Sequence, residues 1–336
     1  MTTEAGKYVS GLLKANPDAP SRTLARVAFE KKPELFGTFQ RAYHSVRYYN
    51  GTKGEKNRAN KSSNKTLREP QLKITTYPSV AASIPDSWCD TGWGPVEIDS
   101  DERIFVLCDS HIPYHDKTAL EVAIKEAREY KPSIVLLGGD ITDNYGESRW
   151  EKDPTVRHFS DEVFIARKFL ESIRSWFPKA RIIYKEGNHE ERHAKLLMSG
   201  APALYGIQET SLPALYQLDK LGIEWVGEKR PLRLGKLNFI HGHEYPLFGD
   251  PANVAKGFFR RAKTHVMGGH YHKTSQNSEG TLEFTTLSQW SVGCLCGLNP
   301  QYRPLNDWNH GFATVDTAKG GEFQVNNYRI IHGKAY

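Results

Sequence analysis

Cysteine is scarce in this chain: among 336 residues only Cys89, Cys108, Cys294 and Cys296 carry a thiol, and no two form a CxxC pair. One residue separates the closest two, so a zinc-type or redox CxxC motif is excluded and reduced thiols are expected. Long apolar runs are missing as well. No stretch reaches the roughly 18 residues a membrane-spanning helix needs, and the mean hydropathy is −0.59, so no membrane association is expected. The opening residues, MTTEAGKYVSGLLKANP, lack a basic start followed by an apolar stretch. That argues against a secretory signal and makes a cytoplasmic location the expectation. No internal repeat at a period of roughly 20–50 residues is visible, which excludes solenoid architectures.

What is present fits a folded enzyme-sized chain. An apolar fraction of 38% and an aromatic fraction of 11% are ordinary for globular proteins, and the length suits one large domain plus a modest appendage. The charge is lopsided. Residues 1–70 hold 14 Lys and Arg against 6 Asp and Glu, whereas the remainder holds 31 against 33. A local basic excess is the footprint of a segment that meets nucleic acid or another polyanion; a merely solubilising face is the alternative.

Three short helices are predicted in that segment: near Glu4 to Lys14, from Ser21 through Lys31, and from about Thr38 to Tyr49. In the last, Phe39, Ala42, Tyr43 and Val46 recur at helical spacing. The unit resembles a helix-turn-helix module, although three helices also pack together for other reasons. Arg41, Arg47 and Lys53 are its candidate phosphate contacts. From Gly51 to about Asp101 periodicity is lost, and the segment reads as a linker; part of it could instead pack on the larger domain, since Trp88 and Trp93 are costly to expose. The expected division is a helical domain over 1–52, a linker over 53–100 and a catalytic domain over 101–336.

Beyond Asp101, apolar runs repeatedly empty into polar motifs: RIFVLC before Asp109, SIVLLGG before Asp140, RIIYKEG before Asn188, LNFI before His241 and THVMGG before His270. Helical stretches intervene, such as Lys117 to Tyr130 with Leu120, Ile124 and Ala127 on one face. Alternating strands and helices predict α/β layering, with functional loops at the carboxyl ends of strands. The motifs are DSH (109–111), GDITD (139–143), GNHE (187–190), HGH (241–243) and GHYH (269–272), and six of the 13 histidines fall within them. Imidazole nitrogens mixed with carboxylate and amide oxygens suit Mn, Fe or Zn rather than Mg or Ca.

This ordered set resembles the calcineurin-like metallophosphoesterase superfamily, and SLPALYQLDKLGIEWV, SVGCLCGLNPQY and NDWNHGFA resemble its phage and bacterial branch. The resemblance implies a sandwich of two mixed β-sheets flanked by helices. It implies two divalent ions, Mn foremost with Fe or Zn as alternatives: Asp109, His111, Asp140 and His272 around one, Asp140, Asn188, His241 and His270 around the other. A hydroxide bridging the ions would attack phosphorus, with His189 as the acid that protonates the leaving group and Asp143 orienting it. Glu190 and His243 are left as either structural residues or groups that fix a ligand's tautomer. The Cys294 and Cys296 pair reads as buried strand, with a pocket-wall role open.

One departure bears on the substrate. Protein Ser/Thr phosphatases of this superfamily follow GDxxD with Arg, and here Asn144 stands there; Arg149, Arg192, Arg260 or Arg261 would have to grip phosphate instead. With the basic N-terminal segment, this favours a phosphodiesterase or nuclease acting on nucleic acid. A phosphomonoesterase and a DNA-binding protein with a structural metal site are the other readings.

Overall fold

The computed structural model describes residues 3–51, 85, 87, 92–149, 153, 158–247 and 252–336. The chain divides into two compact units, Met1–Trp88 and Cys89–Tyr336.

In the first unit, helices α1 (Glu4–Ala15), α2 (Ser21–Lys31), α3 (Pro33–Phe36) and α4 (Phe39–Tyr49) follow one another. Thr3 and Thr38 cap α1 and α4, their hydroxyls accepting from Gly6 N and Arg41 N, which satisfies amides that a helix start leaves unpaired. Val9, Leu24, Ala25, Ala28, Phe36, Ala42 and Val46 form the core. Phe39 and Tyr43 pack against it, so the helical stripe expected of the last helix is the face it buries. Arg41 is exposed and Arg47 lies over the Tyr43 ring; Lys53 lies outside the described residues.

The second unit is a sandwich of two mixed sheets flanked by helices, the architecture the resemblance implies. Among the described residues one sheet has seven strands, ordered β13 (Lys334–Ala335), β12 (Phe323–Ile331), β11 (Gly311–Thr317), β2 (Arg103–Leu107), β3 (Ile134–Leu137), β4 (Arg181–Lys185), β5 (Ile223–Val226). The β2 to β5 run is parallel. The other has six, ordered β1 (Val96–Ile98), β6 (Leu232–Leu234), β7 (Leu237–Ile240), β8 (Val266–Gly268), β10 (Thr286–Ser291), β9 (Ser275–Gly280). All five apolar runs singled out in the sequence contribute a strand.

Period-2 alternation sorts the side chains of these strands. Ile104 and Val106 of β2, Ile134 and Leu136 of β3, and Ile183 of β4 meet Leu232, Leu237, Phe239 and Met267 between the sheets. Their neighbours Phe105, Leu107, Val135, Leu137, Ile182 and Tyr184 face the opposite way, into a cluster with the helices Lys117–Tyr130 and Phe159–Trp176. Because both faces are covered, the parallel strands read as continuous apolar runs. The helix Lys117–Tyr130 starts where Asp116 Oδ1 accepts from Ala119 N at 2.8 Å and buries Leu120, Ile124 and Ala127 as expected. No described helix is long and apolar enough to cross a membrane.

The linker expected to reach residue 100 stops sooner. Val96–Ile98 pairs in parallel with β6, and the Trp93 indole donates to Glu228 O at 2.9 Å. Three alternating residues before a turn were too short a signal to read as a strand. Trp88 lies outside the described residues.

Candidate metal centre

Every expected ligand sits just past a strand end. Asp109 and His111 follow β2, Asp140 follows β3, and Asn188 and His189 follow β4; His241 follows β7, and His270 and His272 follow β8. Pairing continues beyond the strands, with Asp109 N donating to Gly139 O at 3.0 Å, His111 N to Asp140 O at 3.0 Å and Gly269 N to His241 O at 2.8 Å. The loops are therefore as fixed as the sheets. Five of the seven expected ligands (Asp109, His111, Asp140, His270 and His272) have φ between 47° and 68°. Left-handed backbone costs a residue with a Cβ of order 1–3 kcal/mol and persists at functional sites held by their surroundings. A methyl group added at Gly187 would fall 2.3 Å from Asp140 Oδ1, so the GN turn can approach that carboxylate only without a side chain.

The two sheets bring their carboxylates and imidazoles together. His272 Nε2 lies 3.3 Å from Asp109 Oδ1 and 3.2 Å from His111 Nε2. His270 N donates to both oxygens of Asp109. Asp140 Oδ2 is 3.2 Å from His241 Nε2 and 4.0 Å from His111 Nε2, so this carboxylate faces both groups. Its other oxygen accepts from His189 N at 2.9 Å.

The donor set fits divalent cations. Two buried side-chain atoms of the second ligand group, Asn188 Oδ1 and His270 Nδ1, have no hydrogen-bond partner, a costly condition for buried polar atoms unless something else binds them; His241 Nε2 faces only the Asp140 carboxylate. Asp140, His241 and His270 present ligand atoms within 4.8 Å of one another, as do His111, Asp140 and His189. Tautomers are set from behind, since His111 Nδ1 meets Asp143 Oδ2 at 3.0 Å and His241 Nδ1 meets Gly138 O at 3.0 Å. Each Nε2 lone pair is thereby turned inward. The electrostatics agree: burial lowers the pKa of His241, but Asp140 and Asp109 outweigh it and push it up to about 10. For His272, burial is likewise outweighed by Asp109, and its pKa rises to about 10. The pocket demands positive charge.

Asp143 does more than expected of it. Its carboxylate holds His111 at 3.0 Å and lies 3.4 Å from His189 Nδ1, while its backbone oxygen accepts from that Nδ1 at 2.8 Å. Arg192 donates to Asp143 O at 2.8 Å and to His189 Nε2 at 3.0 Å. A guanidinium only donates, so the Arg192 contact is a hydrogen bond in the tautomer that carries its proton on Nδ1. Burial opposes charge on His189, yet Asp140 and Asp143 prevail and raise its pKa.

The two residues left open find definite places. Glu190 is buried, and one oxygen accepts from Asp140 N and Gly187 N, both at 2.9 Å. The other accepts from Ile141 N, Thr142 N, Thr142 Oγ1 and Tyr184 OH. His243 Nε2 meets Glu191 Oε1 at 2.8 Å, away from the carboxylate pair. Cys296 lines a cleft beside the site, and its thiol meets His272 Nδ1 at 3.7 Å.

Asn144 occupies the position of the missing arginine and is structural. Its Oδ1 accepts from Tyr216 OH at 2.7 Å and its amide donates to His189 O at 3.1 Å. Of the four candidate arginines, Arg192 reaches the site, Arg149 lines the same groove as Asn188 and Arg192, and Arg260 and Arg261 sit on the helix Val254–Ala262, Arg261 over Tyr245. The motifs did not reveal the buried pair Lys185–Glu244, 2.7 Å apart. Lys185 ends β4, and Glu244 accepts from His241 N and Gly242 N, so the pair joins the two sheets below the ligands. Burial opposes charge on Glu244, but Lys185 foremost holds its pKa down at about 2. A lysine closing an apolar strand was the available signal.

No family model matches the chain. It is similar to the gene 54 protein of Mycobacterium phage L5, 29% identical over 248 residues that cover 69% of this chain and 95% of the relative. It is also similar to the gene 54 protein of Mycobacterium phage D29, 27% identical over 251 residues covering 68% and 98%. Among solved structures it is similar to vacuolar protein sorting 29 from Cryptosporidium parvum, with TM-score 0.38 and 15% identity, covering 71% of this chain and 96% of the other. A dimetal phosphatase from Danio rerio gives TM-score 0.35 and 11% identity, covering 69% and 96%.

Proposed function

We propose that this chain is a two-metal-dependent phosphoester hydrolase of the calcineurin-like type, acting as a phosphodiesterase on nucleic acid. The observation that carries the reading is the convergence of imidazole and carboxylate groups from two sheets around Asp109 and Asp140, with Asn188 Oδ1 and His270 Nδ1 buried and unpartnered. Bound there, two divalent ions, Mn foremost with Fe or Zn as alternatives, would supply charge that lowers the pKa of water and stabilises in-line displacement at phosphorus.

The chain's own groups do the rest. Asp143 O fixes the His189 ring through Nδ1, leaving Nε2 to carry the proton for the departing oxygen. Arg192, which donates to that Nε2 in the free protein, turns to the phosphoryl oxygens of a bound ester and frees Nε2 to be protonated. The same guanidinium is the observation that favours the second reading, a phosphomonoesterase. The basic N-terminal segment supplies affinity for the polyanion through Arg41, Arg47 and Lys53.

The test is metal analysis with hydrolysis of bis-p-nitrophenyl phosphate against p-nitrophenyl phosphate. Two ions per chain and faster diester cleavage are expected. Faster monoester cleavage would establish the second reading, and no hydrolysis of either ester by the Mn-loaded protein would overturn both.

A further inference from the structure

Beside the metal centre lies a cleft of about 340 Å³ whose lining includes His111 and Asp143 and four aromatic residues, Tyr114, Tyr145, Tyr302 and Trp308. That volume falls at the small end of the ~300–1,000 Å³ of ligand sites. Trp308 stands edge-on to His272, ring centroids 4.1 Å apart, so the aromatic wall is continuous with the ligands. Tyr114 and Tyr302 remain 41% and 70% exposed, and grouped aromatic surface left open at a polar site marks a place where something docks. The amide residues Asn299 and Gln301 complete the wall.

A second groove differs in character. It measures about 460 Å³ and is lined by Arg149, Arg192, Lys195 and one acid, Glu147, together with the expected ligand Asn188; Arg192 and Lys195 are paired with Asp143 and Glu191. The site is thus flanked by aromatic faces and amides in one cavity and by a mainly basic lining in the other. That pattern matches a polynucleotide segment, whose bases stack on aromatic rings while its phosphates track basic residues.

We infer that the Tyr114–Tyr302–Trp308 cleft is a nucleobase site, holding by stacking the base next to the scissile phosphate, with the Arg149–Arg192–Lys195 groove carrying the neighbouring phosphate. The inference rests on the phosphodiesterase reading and adds the place where a base of the substrate is held. Stacking strengthens binding of the base wherever the phosphate sits, so its loss raises KM more than it lowers kcat.

Titration calorimetry on the Mn-loaded full chain with thymidine 5′-monophosphate, phenyl phosphate and methyl phosphate tests it. The nucleotide should bind tightest, and Tyr114→Ala with Tyr302→Ala should weaken it by about 5–150-fold while methyl phosphate is unaffected; Tyr→Phe at both positions should keep the preference. Equal binding of nucleotide and methyl phosphate, or a preference that survives loss of both rings, overturns the inference. Phenyl phosphate binding as tightly as the nucleotide overturns the nucleobase assignment in favour of any aromatic ester. Hydrolysis of methyl p-nitrophenyl phosphate by the same preparations reports on the underlying reading separately. Base preference without hydrolysis keeps the site and overturns the phosphodiesterase; hydrolysis without base preference does the reverse.

Discussion

Glu190→Gln isolates how the ligand loops are held. The carboxylate joins the turn carrying Asp140 to the turn carrying Asn188, accepting six hydrogen bonds and donating none. Glutamine preserves the volume but converts one acceptor into an NH₂ donor. The amide nitrogen will take the side facing Asp140 N and Gly187 N, because the other oxygen serves two hydroxyls and two amides. Two backbone N–H groups, each 2.9 Å from the lost acceptor, then have no partner and cannot rotate away. Bonds to a charged acceptor are worth about 1.5–3 kcal/mol each, so the substitution should cost about 3–6 kcal/mol, a large share of a typical 5–15 kcal/mol total. At roughly 2–4 °C per kcal/mol for a unit of this size, the fall in Tm is roughly 6–24 °C. Urea and thermal unfolding of the chelated protein measure the loss, and metal analysis should show weaker retention because both turns loosen. A variant within about 1 kcal/mol of the parent with unchanged metal content would refute the reasoning.

Asp140→Asn should abolish hydrolysis and lower metal content, since the residue facing both ligand groups loses its charge; two retained ions with near-normal turnover would count against it. His189→Ala should cut turnover by about 10²–10⁴ with metals retained, and the loss should shrink for activated aryl leaving groups if His189 donates the proton. Lys185→Met leaves Glu244 buried without its partner and should destabilise by about 3–5 kcal/mol, read by chemical denaturation. His193 Nδ1 meets Glu147 Oε1 at 2.6 Å, and its pKa is raised because Glu147 and Thr210 O outweigh burial. Its contribution is therefore full below about pH 6.5, its unfolded pKa, and is lost as pH rises through the higher folded value; His193→Gln should remove that component from a stability–pH curve. Arg41→Ala with Arg47→Ala should weaken binding of duplex DNA at low salt and reduce the slope of log affinity against log salt by about two, as measured by fluorescence anisotropy.

Much of the fold was legible because burial on both faces writes parallel strands as uninterrupted apolar runs. RIFVL, IVLL and RIIYK could face nothing but protein on either side, and each became a central strand of the larger sheet. The helix Lys117–Tyr130 announced itself through a 3.6-residue stripe and an aspartate cap. Edge elements were harder to read. Val96–Ile98 is three residues with one exposed, and its pairing with β6 is decided by residues 136 positions further on. SQNSEG carries no apolar face, yet it forms β9, pairing with β10 through backbone bonds that composition does not encode.

The candidate centre was legible to the extent that chemistry demands particular atoms. Asp, His and Asn at strand ends name possible donors whatever surrounds them, and the structure brings Asp109, His111, Asp140, His241, His270 and His272 close to one another. What holds those donors was not legible, because a supporting residue is defined by partners remote in sequence. Glu190 lies 50 residues from Asp140, Lys185 is 59 positions from Glu244, and Cys296 reaches His272 across 24. Any of these types would pass as an ordinary core or surface residue. Asp143 shows the distinction within a single side chain: its place in GDITD suggested one duty, toward His189, but the carboxylate oxygen nearest a ring lies 3.0 Å from His111. The backbone carbonyl shares the expected role with the carboxylate, 2.8 Å against 3.4 Å from His189 Nδ1, and a carbonyl is present at every residue whatever its side chain. Positioning work done by the main chain therefore leaves no mark on the sequence, which is why Asp143→Asn is expected to disturb the tautomer of His111 more than the orientation of His189.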